Sequence, residues 1–144
     1  MLPTRSMAGK SLLLLAVCAA LTGCGDTIHG KAIAEPQVAV FHQRLDGKRF
    51  EEIYTEASDE FRAAAPKDKV FGLFSAIERK LGAVKSSSNV NWNVSSFNLA
   101  TQVVLVQNTE FEHGKATETF TFHVSGAKAV LVGYNINSLD MLTN

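Results

Sequence analysis

The sequence predicts an α+β domain in which two to three helices pack on one face of a four-stranded antiparallel sheet. Two observations predict it. Apolar residues recur every three to four positions up to Leu81 and every second position after Gly82, and this change of period separates helix from strand. Short turn stretches, glycine-bearing at Gly114 and Gly126, divide the later alternating segments, so neighbouring strands are joined as hairpins.

The first helix is expected to open at Pro36, a favourable first helical residue, with Val38, Phe41 and Leu45 on one face and Asp46-Gly47 as its end. A second stripe, Phe50, Ile53, Tyr54, Ala57 and Phe61, predicts one helix running to the alanines at 63 to 65. The third opens at Pro66, places Asp68 near its positive end and buries Val70, Phe74, Ile77 and Leu81 before Gly82 stops it.

Ser86-Ser87-Ser88 reads as loop, and the first strand is expected around Val90, Trp92 and Val94, sharing one buried face. The second covers Ala100 to Phe111, with Val103, Leu105 and Phe111 on one side and Val104 and Val106 on the other. His113-Gly114-Lys115 turns the chain. The third strand places Ala116, Glu118, Phe120, Phe122 and Val124 on one face and Thr117, Thr119, Thr121 and His123 on the other, before a turn at Ser125-Gly126. The last, Lys128 to Ile136, is apolar on both faces and is expected inside the sheet.

The N-terminus reads as an export signal. Arg5 and Lys10 precede an apolar run from Leu12 to Leu21, followed by Leu21-Thr22-Gly23-Cys24. The run of about 10 residues is half the length that a bilayer-spanning helix needs. Leu-Thr-Gly-Cys resembles the lipobox of bacterial lipoproteins, which implies cleavage between Gly23 and Cys24 and acylation of the Cys24 sulfur. Cys18 leaves with the signal, so the mature chain has one cysteine and no disulfide partner for it. Two or three acyl chains on one residue anchor a protein almost permanently. In such lipoproteins an Asp after the cysteine retains the protein in the inner membrane. Gly25 stands there, which implies the outer membrane, facing the periplasm, if the source has two membranes.

The expected organisation is a signal over residues 1–23, a lipidated tether over 24–35 and a single domain over 36–144. The whole chain has 14 basic and 14 acidic residues. Removing Arg5 and Lys10 leaves 12 against 14, a net charge of −2. That excludes nucleic acid as a partner, because phosphate binding needs a basic excess.

Several residues carry a resemblance. Phe41 to Leu45-Asp46, Phe50, Ala57-Ser58, Lys80-Leu81-Gly82 and the closing Val132-Gly133-Tyr134 resemble a family of small exported bacterial proteins of unknown function, over roughly residues 36 to 137. The resemblance implies a cystatin-like or NTF2-like fold and supplies no catalytic residues. Members often carry tryptophan five residues before the closing tyrosine, where this chain has Ala129.

No catalytic constellation emerges from the sequence. His29, His42, His113 and His123 lack metal-ligand spacing, so neither a metal nor a cofactor is expected. His42, beside Phe41, reads as the solvent boundary of the first helix, and His123 as an exposed or half-exposed strand residue. Gly-x-Ser-x-Gly and glycine-rich phosphate loops are absent. Gln102-Val103-Val104-Leu105-Val106 lacks the glycine of the Gln-x-Val-x-Gly hairpin with which cystatins inhibit proteases. Glu51, Glu52, Glu56, Asp59 and Glu60 read as a solvated helix surface.

Three functions stay open. The first is a non-enzymatic envelope lipoprotein, held on the membrane at Cys24, that binds an envelope protein or small ligand. The second is a small-molecule pocket, enzymatic or not, inside an NTF2-like cone lined by Tyr54, Trp92 and Tyr134; core packing is the competing reading of those aromatics. The third is a structural protein that self-associates as a homodimer or larger assembly.

Overall fold

The computed structural model describes residues 25–97 and 100–143. The expected signal segment, with Gly23 and Cys24, lies outside the described residues. The described residues form an α+β fold consistent with cystatin-like and NTF2-like domains. The elements in order are α1 (Gly25–Asp46), α2 (Phe50–Glu56), α3 (Asp59–Ala64), α4 (Lys67–Leu81), β1 (Val84–Phe97), β2 (Ala100–Phe111), β3 (Gly114–Ser125), β4 (Lys128–Asn137) and α5 (Asp140–Thr143). The strands form one antiparallel sheet in the order β1-β2-β3-β4.

α1 is the chief departure from expectation. It begins at Gly25, so residues 25–35 are helical where an extended tether was expected, and Pro36 lies inside the helix. Ala34 extends the buried stripe of Val38, Phe41 and Leu45 one turn backwards, and burial of that face carries the helix through the proline. The 22 residues span about 33 Å. Gly30 lies so near the sheet that a Cβ there would sit 3.2 Å from Thr101 and 3.4 Å from Val103. At the other end Asp46 Oδ1 accepts the Val84 N–H at 3.1 Å. α1 therefore runs antiparallel to β1.

The expected second helix is two. Ser58 interrupts it by capping α3, its Oγ accepting the Phe61 N–H at 3.0 Å. α4 follows expectation, burying Val70, Phe74, Ile77 and Leu81; Gly82 ends it at φ +76°, a conformation that favours glycine.

β1 starts at Val84, and Ser86 to Ser88 pair with β2 instead of looping. A register shift between Asn89 and Asn91 leaves Val90 as an extra residue, exposed and off the face that Trp92 and Val94 share. β4 is an edge strand, not an internal one. A second shift leaves Val132 extra, so Leu131 and then Tyr134 point inward and the apolar pattern reads as two-faced. The Ser58 N–H covers this edge by donating to the Leu131 carbonyl at 2.9 Å.

The core closes around four rings. Phe41 meets Phe74, Phe120 and Tyr134 at centroid distances of 5.6, 5.0 and 4.6 Å, bringing α1, α4, β3 and β4 to one point.

Candidate functional site

The site grows from one glutamate. On β3 the inward positions are Ala116, Glu118, Phe120, Phe122 and Val124, so the two-residue period carries a carboxylate into the core. Glu118 is fully buried, and a buried carboxylate persists only when hydrogen bonds replace its water.

Three donors do so. His42 of α1 donates from Nε2 to Glu118 Oε2 at 2.7 Å, Tyr134 of β4 donates its hydroxyl to Oε1 at 2.6 Å, and Thr109 of β2 donates to Oε2. With its hydrogen committed to Glu118, Thr109 Oγ1 accepts from Ser87 Oγ of β1 at 3.0 Å. Ser87 also lies 3.3 Å from Gln107 Oε1, and Gln107 sits opposite Glu118 in the sheet. One polar cluster thus ties α1 to all four strands.

Burial desolvates Glu118 and raises its pKa, but the hydrogen bond and charge of His42, with the hydroxyls of Thr109 and Tyr134, outweigh that and hold it below the usual 4.5. Tyr134 is driven well above its ordinary value, first by burial and then by the charge and hydrogen bond of Glu118. Glu118 is therefore ionised near neutrality, and Tyr134 carries its proton.

That fixes one edge of the histidine: an ionised Glu118 can only accept, so His42 Nε2 bears a hydrogen and points at the carboxylate. No buried side-chain polar atom among the described residues lacks a partner, and Nε2 makes the ring's one hydrogen bond among them. Nδ1 is thus the nitrogen that reaches solvent.

It reaches a groove of about 510 Å³ between α1 and β1. Glu35, Val38, Ala39, His42, Gln43 and Asp46 form the helical wall; Val84, Ser87 and Asn89 form the opposite wall, with Gln107 of β2. Glu35 is paired with Lys31 at 2.7 Å, and Asp46 accepts the Val84 N–H. Asn89 Nδ2 donates to the Asn91 and Val106 carbonyls, and Ser87 Oγ is engaged with Thr109 and Gln107 Oε1, which leaves the imidazole edge and the Gln43 amide to meet a ligand. A histidine held by a carboxylate can form a directed hydrogen bond to a ligand there.

Tyr54, Trp92 and Tyr134 do not come together. Tyr54 packs edge-on to Phe61 and Phe71, 6.4 and 6.2 Å away. Trp92 stands half-exposed on β1 under the Lys31 ammonium. The Tyr134 ring is enclosed by Phe41, Phe74 and Phe120, and its hydroxyl is spent on Glu118. No ring contact joins any two of the three among the described residues.

His42 is not the solvent-boundary residue the sequence suggested; it is buried at 6 % exposure and bound to Glu118. His123 is half-exposed, as expected. The acidic residues of α2 and α3 behave as a solvated surface: Glu52 and Glu56 pair with Arg44, Glu51 with Lys67 and Asp59 with Arg62. No protein-family model matches the chain, and no curated protein sequence matches it.

Proposed function

We propose that the chain is an exported lipoprotein held on a membrane by an acylated Cys24, in the outer membrane facing the periplasm if the source has two. In this reading it belongs with the small exported bacterial proteins whose pattern residues 36 to 137 share, and its domain is a non-enzymatic binding module. The ligand is a small polar molecule seated in the α1–β1 groove. One observation carries the reading: Glu118 holds His42 by Nε2, so that the other edge of the ring borders the groove. The volume falls in the range of small-molecule sites. The groove's charged residues are Glu35 and Asp46, and neither lysine nor arginine belongs to its lining, so the chemistry favours a neutral or amine-bearing ligand.

Native mass measurement of the full chain, extracted gently from its own membrane, tests this. The expected result is a chain beginning at an acylated Cys24 with a small molecule bound, which His42→Gln loses. An unacylated chain contradicts the anchor, and a bound molecule that His42→Gln retains contradicts the groove.

A second reading, self-association, draws on β1. From Ser86 to Phe97 this edge strand has no charged residue or proline, and Val90 is 52 % exposed; such an edge is a template for strand pairing. A dimer mass in the same measurement would favour it.

A further inference from the structure

The structure replaces the expected tether with helix, which constrains how the domain stands on a membrane. α1 starts at Gly25, the residue after Cys24. By Gly30 the helix is already seated on the sheet, within side-chain contact of Val94, Thr101 and Val103. Six helical residues advance about 9 Å, whereas the eleven residues of an extended tether would reach about 36 Å. An anchor at Cys24 therefore leaves the domain no room to swing freely.

The direction of α1 decides which end is held. The helix begins beside Val94 and ends beside Val84, so its N-terminus lies where β1 meets β2 at Phe97 and Ala100. Thr101 pairs with Val124, which brings the β3–β4 turn, Ser125 to Lys128, to the same end. That turn carries a lysine and no acid, and Ile28 is exposed on the helix nearby. The opposite end mixes acids with bases: Asp46, Glu78 and Glu112 share a depression with Arg79 and His113, Lys48 pairs with Glu78, and Lys115 pairs with Glu110.

We infer that the end of the sheet that carries the Phe97–Ala100 pair and the β3–β4 turn faces the lipid headgroups, with α1 rising from the surface and the groove displayed to the side. The inference rests on the proposed anchor at Cys24. An exposed apolar side chain and a lysine suit an interfacial layer that carries anionic lipid.

The test uses the full acylated chain in phosphatidylethanolamine–phosphatidylglycerol vesicles containing a headgroup-linked nitroxide. Cys24 is blocked by its lipid, so Ala127→Cys at the near end and Leu142→Cys at the far end each take one fluorophore; both positions are exposed. The expected result is several-fold stronger quenching at 127 than at 142. Equal quenching, or stronger quenching at 142, in a chain that floats with the vesicles overturns the orientation and leaves the anchor standing. A chain found unacylated overturns the anchor and the orientation with it.

Discussion

Glu118 organises the interior at the residue scale, and its environment predicts how stability responds to pH. Because the folded pKa lies below the ordinary 4.5, the contribution is complete above about 4.5 and disappears as pH falls through the folded value. Tyr134 works in the opposite direction: its raised pKa gives a contribution that is complete below about 10 and lost as pH rises through the higher folded value. Tyr134→Phe removes one of the three donors to a buried carboxylate, a loss of about 1–3 kcal/mol at neutral pH. The same change raises the Glu118 pKa towards its unfolded value, so urea titrations across pH should show a smaller loss of stability below about 4.5 than in the parent chain; an acid limb of unchanged depth would contradict the network. The alternation of β3 already placed Glu118 among inward-facing residues, and Gln107 and Thr109 occupy inward positions between Leu105 and Phe111. A carboxylate and two polar residues on a core face announce a buried cluster. What the pattern could not supply was the partner from α1, because His42 lies 76 residues away in sequence and a helical period does not say which strand its flank will meet.

Local signals held for elements wherever one periodicity ran unbroken, as in α4, β2 and β3, and failed where a cap, a bulge or tertiary burial intervened. Ser58 capped a helix inside a continuous apolar stripe, and the extra Val132 shifted the phase of β4. At Pro36 the preference for a first helical position lost to the burial of Ala34 one half-turn earlier. An interior proline removes a hydrogen bond and crowds the preceding turn. Pro36→Ala should therefore stabilise the fold by up to about 3 kcal/mol in chemical denaturation; a helix that truly began at Pro36 would gain nothing. Another element-scale prediction concerns the cleft of about 60 Å³ beside Ala129, bordered by Phe41, Ile53, Phe122 and Leu131. The resembled family often places tryptophan at this position. Ala129→Val adds two methyl-sized groups facing that space and should stabilise by about 1 kcal/mol, measured as a rise in melting temperature; a fall would mean that the cleft is too narrow to fill.

For the whole molecule, the α+β class and strand connectivity followed from the sequence, while the length of α1 and the groove beside it did not. Both depend on where a helix lies across a sheet, which burial of side chains distant in sequence decides. Together they place a histidine, held by a core carboxylate, at the border of a groove that the proposed anchor displays to the side of the domain. The most direct test is chemical-shift mapping of the soluble chain from Gly25 onward during titration with the small-molecule fraction of its source's envelope. The account predicts shifts clustered on His42, Ser87, Asn89 and Gln107 that vanish in His42→Gln. Shifts confined to the β1 edge or to the uncovered face of the sheet, with the groove silent, would contradict it.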